Sequence, residues 1–550
     1  MLIIVLSLFI SCSNAPRKNL RFVVSFGESL GPGPFTGRIY VLIFKDKERN
    51  PRLMRGFGHQ PVSNMTGEPF FAADVREMKP GDEAVIDENS VGYPLSSLKD
   101  VPIGEYFVQA LLNVYTEFHR SDGHVIWAHM DQWEGQQAGR SPGNLVSALA
   151  RVRLDSSRGY KIRLDLEETI PPLEAVPDSE WVKHIKIQSP SLTEFWGRPI
   201  FIGATVLLPK GYDEHPDQLY PTVYVQGHFS LEPPMGFSTE PREESEEARR
   251  ERQERSLESG FEFYQSWISK KFPRLILITF QHPTPYFDDS YAVNSANNGP
   301  YGDALTKELI PFLENNFRMI PKAYARMLTG GSTGGYESLS LQVHYPRFFG
   351  GTWTFYPDPI DFSRLFLVNI YEDDNAFHSP LYPLLQPERY AFRSPEGQPI
   401  QSVRQLSQLA LALGSRGRSC EYLEAWEAAF GPVGEDGYPR PLWEKKTGKI
   451  DREVAEYWRE SGYDLVDYLK KHWPEIGPDL IGKIHVFVGD MDNYYFNLPV
   501  YSLEAFLTSV KSPSYGGEIR YGRPLKAHGW RPMTQADMIR SMVAHIGANK

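Results

Sequence analysis

The run Gly330-Gly331-Ser332-Thr333-Gly334-Gly335 places a serine between glycines in a Gly-x-Ser-x-Gly pattern. An apolar stretch, residues 325–329, leads into it. A helical stretch follows, with Tyr336, Leu339 and Val343 on one face and Pro346 beyond its end. A serine at a sharp strand-to-helix turn sits in strained backbone, and only glycine leaves room for the crossing chain. The turn lifts the hydroxyl above the sheet at a helix N-terminus. There the helix dipole and the backbone N–H of Thr333 can face a developing oxyanion.

A serine hydroxyl needs a base to take its proton. Downstream of Ser332 stand His344, His378, His472, His485, His528 and His545. His344 lies in the helix that follows the serine, too close to fold back, and His485 is inside an apolar strand. His528, in Lys526-Ala527-His528-Gly529-Trp530, falls in a loop between the strand-like residues 518–521 and a C-terminal helix, which is where a base is required. The apolar residues 483–488 end in Gly489-Asp490-Met491-Asp492-Asn493, so two carboxylates stand at the C-terminal edge of a strand, where open α/β sheets build their sites. Either can orient an imidazole; Asp492 is favoured, Asp490 is the alternative, and Asp358 and Asp361 after the preceding strand are further candidates.

The second oxyanion donor is expected from Gln226-Gly227-His228-Phe229, through the N–H of His228 or Phe229. The loop holding Asn294, Asn297 and Asn298 is expected to line the pocket as a substrate-binding segment. No Cys-x-x-Cys or His-Glu-x-x-His is present, and residues 489–493 lack the glycine of a calcium loop. No metal and no cofactor are expected.

These residues need elements to position them. From residue 181 onward, strand-like runs at 221–226, 275–280, 325–329, 351–355 and 483–489 alternate with helical stretches, the mark of a sheet with crossover helices. Leu305, Leu309, Leu313 and Phe317 form one apolar helix face, which Pro311 is expected to kink. Two inserts interrupt this α/β pattern. One is a charged helical stretch at about 240–259. The other, residues 361–481, reads as a large helical cap. Before it, residues 20–166 hold short Val/Ile/Leu/Phe/Tyr-rich strands with Gly and Pro punctuation, predicting an all-β sandwich-like domain, and residues 167–180 form a linker.

The 209–212 approach, the 220–227 strand, the 302–318 helix, the elbow at Ser332, the Gly489–Asp492 turn and the His528-Gly529-Trp530 loop together resemble the putative-esterase family of α/β-hydrolases. That family includes esterase D, feruloyl and acetylxylan esterases and enterochelin esterase. The resemblance covers residues 181–546 outside the two inserts. It implies an α/β-hydrolase fold and a Ser–Asp–His triad, which fall here on Ser332, Asp492 and His528. Gln226-Gly227-His228 in place of the usual His-Gly, and the long cap, depart from the family around the pocket.

The expectation is an exported serine carboxylic-ester hydrolase acting through an acyl-enzyme, on acyl or feruloyl esters of carbohydrates. The alternatives are an acyltransferase or peptidase on the same fold, or a non-catalytic glycan-binding surface lipoprotein. A net charge of −11 argues against nucleic acid as a partner. Residues 2–10 are an apolar run of signal-peptide length, too short to span a bilayer. Phe9-Ile10-Ser11-Cys12 resembles a lipobox, although no basic residue precedes the run. Residues 1–15 are therefore expected to be a leader, with lipid on Cys12 as the membrane anchor and a periplasmic or cell-surface location. Cys420 is the only other cysteine, so no disulfide is expected within the folded part.

Overall fold

The computed structural model describes residues 20–45, 67–381 and 384–550. The expected leader and Cys12 lie outside the described residues. Among those described, no helix is long and apolar enough to cross a membrane.

The catalytic sheet has eight strands in the order Val182–Gln188, Phe201–Leu207, Ile276–Gln281, Thr222–Gln226, Arg326–Ser332, Gly351–Pro357, Ile484–Gly489 and Glu518–Gly522. Every expected strand is present. Val182–Gln188 pairs antiparallel with Phe201–Leu207, which pairs antiparallel with Ile276–Gln281. The remaining pairs are parallel. From Thr222–Gln226 the chain first adds Ile276–Gln281 on one side and then Arg326–Ser332 on the other. Strand order therefore reverses there, opening a crevice at the C-terminal ends of these strands. Gln226 and Ser332 stand at that crevice.

The apolar face through Leu305, Leu309 and Leu313 is buried as expected, but Pro311 does not produce a simple kink. A π turn, Ala304–Leu309, runs directly into the α-helix Ile310–Asn316. The wider turn relieves the clash that a proline ring makes with the preceding turn of an α-helix. Phe317 is already extended, so the helical face ends at Leu313.

The N-terminal unit is all-β, as expected. Its nine strands belong to one continuous mixed sheet, in which Leu20–Phe26 and Tyr160–Thr169 pair in parallel, and the sheet curls so that strands far apart in it share one core. Phe35–Phe44 is buried on both faces from Gly37 onward. Ile39, Val41 and Ile43 join Phe22, Val24, Val108 and Leu112 in one core. Tyr40, Leu42 and Phe44 face the other way, onto Leu409, Ala412 and Leu413. Those three belong to the helix Val403–Leu413, so the long insert covers the outer face of these strands.

Within the insert, the helices Val403–Leu413, Tyr422–Phe430, Arg452–Glu460 and Leu465–Leu480 are joined by a hairpin, Tyr390–Arg393 with Pro399–Ser402. Trp426, Phe430 and Trp458 share a core with Tyr336 and Leu339 of the helix after Ser332. The shorter insert forms the helix Glu246–Glu254, with no buried residue.

Arg38 ties sheet to insert. It is 3% exposed, donates to the carbonyls of Leu411 and Ala412 at 2.8 and 3.0 Å, and pairs with Asp74 at 2.6 Å. A cation at the C-terminus of Val403–Leu413 satisfies carbonyls that the helix itself leaves without partners. Replacing it by Arg38→Met strands two buried acceptors and is expected to lower stability by about 3 kcal/mol in urea titration.

Candidate active site

Ser332 ends the strand Arg326–Ser332 and caps the helix Thr333–His344 with φ 58° and ψ −123°. A serine in that region is strained, and the surrounding chain must hold it there. A Cβ on Gly330 would stand 2.1 Å from the Gly334 carbonyl oxygen, and one on Gly334 would stand 2.2 Å from that of Gln226. The glycines therefore serve close backbone crossing, as the pattern implied. Thr333 is the first helical residue, so its N–H has no acceptor within the helix.

His528 Nε2 lies 3.0 Å from Ser332 Oγ. Its Nδ1 lies 2.7 Å from Asp492 Oδ2. Asp492 is fully enclosed, and its Oδ1 accepts the backbone N–H groups of Tyr494 and Phe496 at 2.9 and 3.2 Å. These donors fix the carboxylate plane so that Oδ2 faces the imidazole. The His528 N–H donates to Asn493 Oδ1 at 2.9 Å, and the ring is caged edge-on by Tyr356, Tyr494 and Phe496. Serine, imidazole and carboxylate thus form one unbroken chain.

Asp490 does something else. Its Oδ1 accepts the Lys526 N–H at 2.8 Å, which anchors the loop leading to His528. Asp361 caps the turn at Phe362. Two further histidines are excluded as bases by position and by burial, which pushes His344 and His485 down to about 4.

Asp358, the other alternative acid, points at the serine and not at the imidazole. Its Oδ1 is 3.1 Å from Ser332 Oγ, while Oδ2 accepts from the hydroxyls of Tyr291 at 2.8 Å and Thr333 at 3.1 Å. Burial pushes its carboxyl above the usual range. Ser332 Oγ carries one hydrogen and stands within reach of two acceptors, His528 Nε2 and Asp358. A hydrogen given to Asp358 is not given to the imidazole, a competition that sequence reasoning had no means to see.

The oxyanion loop departs from expectation in one residue. The Phe229 N–H is already given to Asp288 Oδ2 at 3.2 Å. That leaves His228 and Thr333 as the proposed backbone donors. The His228 ring packs against Phe287 and Tyr422, with Nδ1 3.1 Å from Asp288 and 3.3 Å from Asp289. Both carboxylates are buried, and their field raises His228 well above its ordinary value against the cost of burial.

The three asparagines brace the chain where pocket lining was expected. Asn297 Nδ2 donates to the Gly431 carbonyl, the Asn298 carbonyl accepts Trp196 Nε1, and Asn294 Oδ1 accepts the Asp303 N–H. Asn297 and Asn298 are enclosed, so the loop holds the insert and does not present those amides to a ligand. The aromatic rings beside the site come instead from Phe287, Tyr422 and Tyr494, none of which carried a motif.

Residues 201–357 match the sequence profile of a family described as putative esterases. By class the esterase is a serine carboxylic-ester hydrolase. Among solved structures it is similar to a ferulic acid esterase, at 13% identity over 63% of this chain and 92% of that one, with a TM-score of 0.34. It is also similar to a fluorophosphonate-binding serine hydrolase F of Staphylococcus aureus, at 10% identity over 66% and 98%, TM-score 0.34. A third is an S-formylglutathione hydrolase from Agrobacterium tumefaciens, at 12% identity over 67% and 93%, TM-score 0.33. No curated protein matches the chain.

Asp358→Asn keeps the shape of the side chain but loses a carboxylate oxygen as acceptor for the Ser332, Thr333 and Tyr291 hydroxyls. Loss of one such hydrogen bond, about 1–1.5 kcal/mol, is expected to change kcat/KM for p-nitrophenyl acetate about tenfold. An unchanged kcat/KM would show that Asp358 does not position the serine.

Proposed function

We propose that the esterase is an exported enzyme that cleaves acyl or feruloyl esters on carbohydrate through an acyl-enzyme at Ser332. The observation that carries the mechanism is the continuous chain from Asp492 through His528 to Ser332. Ser332 Oγ gives its proton to His528 Nε2 and attacks the ester carbon. Asp492 stabilises the imidazolium and holds the ring by Nδ1. The carbonyl oxygen takes up negative charge against the N–H groups of Thr333 and His228. The tetrahedral species collapses, the alcohol leaves with the proton from Nε2, and water then repeats the sequence to release the acid.

In this reading the long insert acts as a cap. Tyr422 and Trp426 stand on one of its helices, with Tyr422 beside His228 and Tyr494. Trp426 Nε1 donates to the Tyr291 hydroxyl, which in turn holds Asp358. Cap position and serine environment are thereby coupled. Flat aromatic rings suit a planar acyl group or the C–H face of a sugar. The apolar leader and its Cys12 support export to the periplasm or cell surface, with a lipid as the anchor.

With p-nitrophenyl acetate, Ser332→Ala and His528→Ala are expected to remove turnover, and Asp492→Asn is expected to lower kcat by about 10⁴-fold. Asp490→Asn should retain far more activity than Asp492→Asn; equal losses would return the acid to open choice. A fluorophosphonate should label the wild type and not Ser332→Ala. A panel of acetyl, feruloyl and longer acyl esters with an added alcohol acceptor separates hydrolysis from acyl transfer, and the expected product is the free acid.

A further inference from the structure

The N-terminal unit carries a strained loop of its own. Between the strands Val125–Ala128 and Leu145–Ser147, the residues Trp133, Gly135 and Gln136 stand in the left-handed region, at φ 81°, 73° and 57°. Two of the three are not glycine, and such backbone persists only where its surroundings over-determine it. Here they do. Asp131 accepts the Trp133 N–H on Oδ1 at 2.8 Å and the Gln136 N–H on Oδ2 at 2.6 Å. Glu134 is enclosed; its Oε2 accepts the Gln132 N–H at 2.7 Å, and its Oε1 meets His129 Nε2 at 2.6 Å. The other ring nitrogen of His129 lies 2.7 Å from Asn113 Oδ1, on the strand Gly104–Val114, so the loop is rooted in the N-terminal sheet.

The strained residues meet the catalytic unit. The Trp133 indole lies against the strand Phe201–Leu207, where a Cβ on Gly203 would stand 2.7 Å from its Cζ2, and Lys186 Nζ is 4.3 Å from its ring centre. The same indole meets the Phe229 ring at 5.4 Å and 88°, an edge-to-face pair. Gly135 approaches that ring too: a Cβ there would stand 2.8 Å from Phe229 Cδ1. Gln136 is enclosed, and its Nε2 donates to the carbonyl of Thr284, just before Phe287 and Asp288 in the chain. One loop of the N-terminal unit therefore touches both segments that frame the proposed oxyanion site. Phe229 is the residue after His228.

We propose that Trp133 and Gly135 are positioning residues of the esterase, through which the N-terminal unit clamps Phe229 and so aims the His228 N–H at the oxyanion. The inference rests on the reading of that N–H as an oxyanion donor. Asp288 holds the Phe229 backbone by its N–H, and Trp133 with Gly135 holds the ring, so the chain at His228 is restrained from both ends of one residue. A donor fixed in advance stabilises the charge that develops in the transition state more than it stabilises the bound ester. Loosening the clamp therefore costs rate and leaves substrate affinity in place.

The test is steady-state kinetics of the full chain on p-nitrophenyl acetate. Trp133 and Phe229 are both partly exposed, so Trp133→Leu and Phe229→Leu remove the ring pair without hollowing an enclosed core. Each is expected to lower kcat about 10- to 100-fold with KM near the wild-type value. Inhibition by phenylboronic acid, whose adduct on the serine is tetrahedral, is expected to weaken by the same factor. Trp133→Phe is expected to restore most of the rate. Because Trp133 acts through Phe229, the double variant is expected to lose no more than either single one. Gly135→Ala, whose added methyl meets the Phe229 ring, is a second route to the same split between kcat and KM. Circular dichroism checks that each variant is folded. Wild-type kcat in folded Trp133→Leu, a loss confined to KM, or losses that multiply in the double variant overturn the proposal. Ser332-dependent turnover by the wild type with unaffected clamp variants sinks this inference alone; a wild type without such turnover sinks the esterase mechanism with it.

Discussion

Three backbone segments meet at van der Waals distance under Ser332: the end of Arg326–Ser332, the start of Thr333–His344, and the end of Thr222–Gln226. With Ser332 at φ 58° and glycines at 330 and 334, no side chain can stand between them. Holding a non-glycine residue there costs on the order of 1–3 kcal/mol. The surrounding packing repays it, since Tyr336, Leu339 and Val343 are fully enclosed. That crossing places the hydroxyl at a helix N-terminus and brings the Gln226 loop alongside it. Everything proposed for the oxyanion follows from it.

The long insert is part of this support. Its aromatic core continues into the helix behind the serine, and its first long helix covers one face of the N-terminal sheet. Arg393, from its hairpin, donates to the Asp492 carbonyl at 3.0 Å. Trp426 reaches the serine environment through Tyr291 and Asp358. An insert packed in this way braces Asp492 and Asp358 from one side.

The electrostatics of the site have two parts with different logic. Asp492 is buried and held by two backbone N–H groups, which turn its other oxygen to the imidazole. Asp358, Asp289 and Glu337 are buried, and burial pushes their carboxyls up. The first arrangement fixes an orientation. The second leaves protons that can move with pH.

Strand, turn and helix around Ser332, the loop position of His528 and the carboxylate pair at Gly489 were legible in the sequence, because each depends on local spacing and on glycine. So was the presence of the parallel strands. What remained open depended on partners distant in the chain. Asp490 and Asp492 differ only in which neighbour meets them, the Lys526 N–H or the His528 ring. Phe229 lost its expected role to Asp288, and the asparagine loop lost its own to Gly431 and Trp196. An insert helix more than two hundred residues away in the chain covers the outer face of the N-terminal sheet, a contact that no local spacing announces. A sequence determines which groups a loop offers; the direction in which each points is decided by whatever unpaired donor, acceptor or apolar face the rest of the fold brings against it.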